Sequence, residues 1–139
     1  MLKLLQLRFL PTSVNLALLV LRIWFALPLL TLHGWSKLTH FAERSPRFAD
    51  PFGFGSPASL ALVVFAEVFC SVLLVLGLFT RAAALTCGIA MATAFSHAHG
   101  ARLSGQGNGE LPFMFLGAFV ALLLAGGGKF SLDARMGAR

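Results

Sequence analysis

The chain has 139 residues, of which 58% are hydrophobic and only 12% charged, and its mean hydropathy is +0.84. Soluble domains carry about twice that charged fraction, so the composition excludes a typical soluble enzyme and favours an integral membrane protein. The formal charge of +6 fits membrane topology and attraction to anionic lipid better than nucleic-acid binding, because no basic helix with interleaved aromatic residues lies outside the apolar segments.

Four apolar blocks organise the chain, at residues 14–37, 57–79, 82–99 and 110–126. As helices they would be about 26 to 36 Å long, against a hydrocarbon core of roughly 30 Å. We therefore predict an all-α fold, in which residues 1–139 form one membrane domain built as a bundle of four transmembrane helices.

The starts of the first two blocks carry helix-capping residues. Ser13 precedes the first block, and Ser56 followed by Pro57 opens the second, which is N-cap and N1 chemistry. The first block lacks a small-residue cleavage site and its apolar run is too long for a signal peptide, so we expect it to remain in the protein. Pro28 is expected to kink it.

The distribution of basic residues predicts the orientation of the bundle. Four spans place both termini on one side of the membrane, and the positive-inside rule identifies that side. The side of the termini would carry Lys3, Arg8, Arg81, Lys129, Arg135 and Arg139, and the other side Lys37, Arg44, Arg47 and Arg102. The termini are therefore predicted to be cytoplasmic.

Basic residues share one face of the first span. Arg22 and His33 are eleven residues apart, which places them within about 20° of each other on an α-helix, and Lys37 follows one turn later. Glu67 is the one acidic residue in the middle of any predicted span. It is therefore the expected partner of Arg22.

The second and third spans also carry polar faces, at Glu67, Cys70 and Ser71 and at Thr86, Thr93 and His97. The fourth has Gly117, Ala121 and Ala125 at four-residue intervals, an edge of small residues that predicts close helix packing. These features predict a compact bundle with a polar interior.

Polar residues at membrane depth are candidates for a binding site, because each is costly there unless it is paired or wet. The candidate ligand-binding residues are Arg22, His33, Lys37, Glu67, His97 and Glu110. Glu67 and His97 are the candidates for proton exchange. The structural alternative is that a buried Arg–Glu pair only determines which helices pack together.

A metal site is a weaker hypothesis. His97 and His99, with His33 and Glu110, could ligate zinc or copper, but residues two apart point to different faces of a helix. The principal expectation is therefore no metal. Cys70 and Cys87 form no CxxC motif and are expected at different depths, as inert buried thiols.

Five motifs occur in order along the chain: HGWSKL at 33–38, FADPFGFGSPASLALVVFAEVFCSVLLVLGLFTRAAAL at 48–85, AFSHAH at 94–99, GELPFMFLGAF at 109–119 and GGGKFSLDA at 126–134. Together they resemble the DoxX family of small bacterial membrane proteins. The resemblance implies a four-helix protein of the bacterial inner membrane. The family is named after a subunit of a thiosulfate:quinone oxidoreductase.

The resemblance also marks individual positions. Those that match the family pattern are Gly34 and Lys37, Glu67, Thr80 and Arg81, His97, and Glu110. Many relatives have tyrosines in the fourth span and the final motif, whereas this chain contains no tyrosine. Chemistry that needs a phenol is therefore not expected.

These observations predict a quinone-linked membrane redox system, in which the protein acts at most as a subunit of an oxidoreductase. The chain has no haem, flavin or iron–sulfur motif, so a redox protein partner would have to supply the electron-carrying cofactor. The alternatives are a non-catalytic scaffold or assembly factor and, less favoured, a small metal- or solute-handling protein. The oligomeric state stays open.

Overall fold

The structure, a computed structural model, describes residues 13–137. The helices are α1 (Val14–Thr39), α2 (Phe41–Arg44), α3 (Ser56–Leu76), α4 (80–98), α5 (Glu110–Ala125) and α6 (Leu132–Arg135). A 3-10 turn covers Ser45–Arg47, and residues 13–137 contain no β-strand. The prediction of an all-α fold is confirmed for this part of the chain.

The four long helices follow one another around a common core. Helix α1 packs on α3, α3 on α4 and α4 on α5, and α5 returns to α1. One end of this arrangement, here called the terminal end, holds the start of α1, the turn at 77–79 and residues 126–137. The other, the loop end, holds residues 40–55 and 99–109. The core between them consists of Ala26, Leu29, Cys70, Leu74, Ala83, Ala84, Cys87, Met91, Phe115, Phe119 and Leu122.

Two of the helices, α1 and α3, are long and apolar enough to cross a membrane, and α5 is a shorter apolar helix. Large apolar side chains also cover the outside of these helices. Trp24 is 72% exposed, Leu32 71% and Leu124 74%. An apolar exterior of this extent is the surface that lipid would cover.

Asp50 organises the start of α3. Its carboxylate accepts hydrogen bonds from the backbone N–H groups of Phe54 and Gly55 and from the hydroxyl of Ser59. The bond from Ser59 is the largest influence, and together these bonds hold the pKa of Asp50 below its usual value. The prediction that Ser56 caps this helix is wrong, because Ser56 is its first residue. At α1 the predicted cap is confirmed, since Ser13 accepts from the N–H of Leu16.

Three of the long helices contain a π-helical segment, in which the backbone is wider than in an α-helix. The segments are Leu29–Gly34 in α1, Phe65–Cys70 in α3 and Ala94–Ala98 in α4. They contain His33, Glu67 and His97 respectively. Three residues that the sequence marks as chemical candidates therefore lie on π-helical backbone, which is frequent at functional sites.

The cysteines meet in the core instead of lying at different depths, so that expectation is wrong. Cys70 and Cys87 are neighbours and almost completely buried. The Cys87 thiol donates to the carbonyl of Ala66, at a sulfur–oxygen distance of 3.2 Å. This carbonyl lies in the π-helical segment of α3, where the regular helical hydrogen bonds are disturbed.

Gly34 allows the backbones of α1 and α3 to touch. A Cβ atom at this position would lie 2.8 Å from the carbonyl oxygen of Glu67 and 2.8 Å from a methyl group of Val68. Any side chain larger than hydrogen would therefore push the two π-helical segments apart.

The edge of small residues on α5 does not pack within the bundle, so the prediction of close contact there is wrong. Gly117, Ala121 and Ala125 are exposed, and a Cβ atom at Gly117 would meet nothing within 4 Å. Helix α5 instead buries its face of large residues, including Phe115 and Phe119, because large side chains make more van der Waals contacts with the neighbouring helices than glycine and alanine can.

Gly34→Ala should destabilise the protein by about 1–3 kcal/mol, the usual cost of overpacking a tight contact. Gly117→Ala is the matched control and should be neutral or stabilising by up to about 1 kcal/mol, since alanine is the better helix former. Thermal unfolding in detergent micelles measures both. Equal stability of Gly34→Ala and wild type would contradict the close contact of α1 and α3.

Candidate functional site at the loop end

An ion pair joins the last turns of α1, at the loop end, to the middle of α3. Lys37 Nζ lies 2.6 Å from Glu67 Oε2, and the side chains are 19% and 7% exposed. It is the one ion pair found among residues 13–137. Lys37 reaches Glu67 because Gly34, one turn earlier, brings the two helices into contact at Glu67.

The pair keeps unused hydrogen-bonding capacity. The Lys37 ammonium has three donors, and within residues 13–137 it uses them on Glu67 alone. The second carboxylate oxygen of Glu67 accepts no hydrogen bond from the described residues. Because Lys37 is partly exposed, a polar group of a ligand could bind the pair without breaking it.

His33 is half-buried beside this ion pair. It belongs to the π-helical segment of α1 that packs against the corresponding segment of α3. Its ring lies edge-on to Phe115 of α5, with 6.3 Å between ring centroids. Phe115 in turn meets Phe25 edge-on at 5.3 Å. Aromatic side chains therefore line the polar groups on the side of α5.

His97 lies on the surface of the loop end. Its ring is 5.6 Å from that of Phe52, which belongs to the loop before α3. Its Nδ1 atom is 2.9 Å from the hydroxyl of Ser96. The sequence predicts His97 on a polar face of its span in a wet, outward-facing position, and in the structure it is exposed and covered on one side by Phe52.

The remaining candidates also lie at the loop end. His99 Nδ1 is 2.8 Å from the carbonyl oxygen of Gly107, and Glu110 is exposed at the first residue of α5. Over residues 13–137, no three His, Cys, Asp or Glu side chains lie close enough together to hold a metal ion. His33, His97, His99 and Glu110 therefore do not assemble into the metal cluster considered from the sequence.

Arg22 belongs to the other end of the molecule. Its side chain is completely buried and donates to the carbonyls of Phe130, at 2.7 Å, and Leu74, at 3.4 Å. The predicted pairing with Glu67 is wrong, because Leu74 lies seven residues beyond Glu67 on α3, about 10 Å along the axis. A Cβ atom at Gly77 would collide with the guanidinium, so glycine is needed there as well.

Asp133 completes this terminal-end cluster, which consists of Arg22, Gly77, Thr80, Ser131 and Asp133. Its carboxylate accepts from the N–H groups of Phe79, at 2.7 Å, and Thr80, at 2.9 Å, so it caps the start of α4. Burial by itself raises the pKa of Asp133. The hydrogen bonds and the charge of Arg22 lower this pKa by more than burial raises it, so that it lies below its usual value.

Sequence reasoning missed this cluster. Thr80, Arg81 and the GGGKFSLDA segment match the family pattern, but nothing local in the sequence indicates that Asp133 caps a helix that begins 53 residues earlier. The signal available was indirect, since Ser131-x-Asp133 after three glycines is a turn or helix start.

Lys37→Met should destabilise the protein by about 3 kcal/mol, because it leaves a buried carboxylate without its partner. Glu67→Leu should cost less, since Lys37 is the more exposed member of the pair. The double variant should be more stable than the sum of the two losses predicts. Thermal unfolding in detergent gives all three values, and simple additivity would rule out a direct interaction.

Asp133→Asn should lower stability at neutral pH by about 1 kcal/mol, the typical effect of weakening a helix cap. A carboxylate whose pKa is lowered on folding stabilises the protein above its unfolded value, about 3.9, and loses that contribution as the pH falls through the folded value. The variant should therefore lose less stability than wild type below about pH 4. Unfolding temperatures measured from pH 7 to 3 test this. Glu43→Gln, at an exposed position, should behave as wild type.

Comparison with known proteins identifies the family of the chain. The DoxX family model matches residues 17–100, a range that contains Arg22, Gly34, Lys37, Glu67 and His97. An uncharacterized protein of Haemophilus influenzae is 33% identical over 110 residues, which cover 73% of this chain and 78% of the relative. No solved structure matches the chain significantly. The chain therefore belongs to the DoxX family of membrane proteins.

Proposed function

We propose that this DoxX protein binds a quinone, or another small lipophilic redox molecule, at the loop end of the bundle and serves a membrane redox system. It would cross the bacterial inner membrane four times, with both termini in the cytoplasm. The observation that carries the proposal is the Lys37–Glu67 pair, which is charged, partly exposed, incompletely hydrogen-bonded and surrounded by apolar helices.

The residues at the loop end fit such a ligand. A quinone site needs donors for carbonyl oxygens, groups that exchange protons and apolar walls. Lys37 would donate to a carbonyl oxygen, while Phe115 and Phe52 offer aromatic surface beside His33 and His97. Glu67 and His97 are the proposed proton-exchanging groups. Arg22 is left out, since it is buried and engaged at the other end.

The proposed role is that of a partner, not of a complete oxidoreductase. When bound, a quinone supplies two-electron, two-proton chemistry, and the sequence contains no haem, flavin or iron–sulfur motif to deliver the electrons. The residues of this chain would bind the ring, orient it and hold or release protons. A redox protein in the same membrane would carry the electron-transfer cofactor.

Binding of decylubiquinone to the purified protein in lipid nanodiscs tests the proposal. Lys37→Met combined with Glu67→Leu removes both charges without leaving one unpaired, and should weaken binding at least about tenfold if the pair holds a carbonyl oxygen. His97→Gln should weaken it less. His40→Gln, an exposed histidine at the same end, is the control and should bind as wild type.

The absence of quinone binding by the wild-type protein would refute the proposal. If the double variant is folded, as judged by thermal unfolding, and its affinity for the quinone is unchanged, the ion pair does not contribute to quinone binding.

A scaffold or assembly role is the second candidate, and one observation favours it. Lys37 supplies a full opposite charge to Glu67 and ties α1 to α3, which is sufficient for a purely structural pair. In that case the double variant would lower recovery of membrane partners in pull-down experiments, and the wild-type protein would show no quinone binding.

A further inference from the structure

A cavity of about 690 Å³ opens at the terminal end, away from the loop-end site. Its walls come from the first turn of α1, the first turn of α4, the end of α5 and the loop at 126–128. The residues that line it include Asn15, Phe79, Thr80, Arg81, Lys129 and Asp133.

The cavity carries excess positive charge. Arg81 and Lys129 are exposed in its wall, and neither pairs with a carboxylate within residues 13–137. Asp133 also lines it, but its oxygens accept from Phe79 and Thr80 and its charge faces Arg22. Among residues 13–137, Arg81 and Lys129 are therefore two cations without a paired carboxylate.

Hydrogen bonds fix the Arg81 side chain and the Lys129 main chain at the cavity. Arg81 Nε donates to the carbonyl of Leu123 at 2.8 Å, which anchors the guanidinium beside the end of α5. The Lys129 N–H donates to the side-chain oxygen of Asn15 at 2.9 Å. The backbone of Lys129 is thereby fixed, and its ammonium group has no hydrogen-bond partner among the described residues.

The loop between α5 and Lys129 allows close approach of an anion. Gly126 and Gly128 have positive φ values of 75° and 70°, a conformation that glycine adopts without strain. Behind this loop Thr80 is completely buried, and a Cβ atom at Gly127 would lie 2.7 Å from its hydroxyl oxygen. The loop therefore packs directly against the start of α4.

An apolar rim adjoins the two cations. Phe79 is 60% exposed, Phe130 57% and Met136 66%, all at the terminal end. Cationic side chains next to exposed apolar ones match the two parts of a phospholipid, its charged headgroup and its acyl chains. A free phosphate would use the cations but not the rim.

We propose that this cavity binds the phosphate headgroup of an anionic phospholipid, through Arg81 and Lys129. Such binding goes beyond the proposed quinone site and does not depend on it, since the two lie at opposite ends of the bundle. Basic pockets between helices are a recognised way of holding anionic lipid at the membrane surface.

The test compares lipid binding by the detergent-purified protein and its variants, measured by native mass spectrometry with dioleoylphosphatidylglycerol and dioleoylphosphatidylcholine. Wild type should retain the anionic lipid preferentially. Lys129→Glu should weaken that binding about fivefold or more, because one cation near a lipid surface contributes about 1 kcal/mol. Arg102→Glu introduces the same charge change at the loop end and should leave binding unchanged.

Three results would overturn the proposal. They are equal retention of the two lipids by wild type, equal loss of binding in Lys129→Glu and Arg102→Glu, and displacement of phosphatidylglycerol by low millimolar inorganic phosphate. The last would identify a soluble phosphate as the ligand instead of a lipid. Arg81→Gln gives a second reading of the cavity, and its unfolding temperature shows whether loss of the bond to Leu123 has disturbed the fold.

Discussion

Lys37 and Glu67 can form an ion pair only because Gly34 brings two helix backbones into contact. A carboxylate in an apolar bundle is costly without a partner, and Glu67 is nearly buried. The partner must come from α1, and a side chain at Gly34 would hold α1 too far away. The proposed loop-end site therefore requires glycine at position 34, because even the methyl group of alanine would separate the two helices.

A buried charged side chain is stabilised in a different way at each end of the bundle. At the loop end a cation neutralises Glu67 directly. At the terminal end Arg22 finds carbonyl oxygens, one of them from Leu74 in the last turn of α3, where the helix dipole is negative. Asp133 contributes charge nearby while capping α4. Between the two networks lies an apolar core, so no hydrogen bond between described side chains links the charges of one end to those of the other.

Much of the architecture follows from patterns local in sequence. The apolar blocks locate the long helices to within three residues. Helix α3 ends at Leu76, three residues before the end of the predicted block, because Gly77 adopts a left-handed conformation there. Depth and helical spacing point to Lys37, Glu67 and His97, and the structure places Lys37 and His97 toward the loop end and Glu67 at the middle of α3. The pairing of the charges was not predictable in the same way. Arg22 and Lys37 are both basic residues on the same predicted face of α1, so either could pair with an acid on α3. Only the relative position of the two antiparallel helices decides which of them meets Glu67. The contact of Asp133 with Thr80 depends on the same long-range geometry.

The π-helical segments have a consequence for how such a protein can change over evolution. A π-helical turn is related to an α-helix by one additional residue, so a single-residue deletion in the segment Leu29–Gly34 would return α1 to regular geometry. Because a π-helical turn accommodates its additional residue by widening locally, the parts of α1 before and after the segment keep about the same relative orientation as in an α-helix that is one residue shorter. Lys37 would therefore stay on the face that meets Glu67, and Arg22 would keep its position at the other end. A change of one codon in this segment would alter the local backbone beside His33 and leave both charged centres in place.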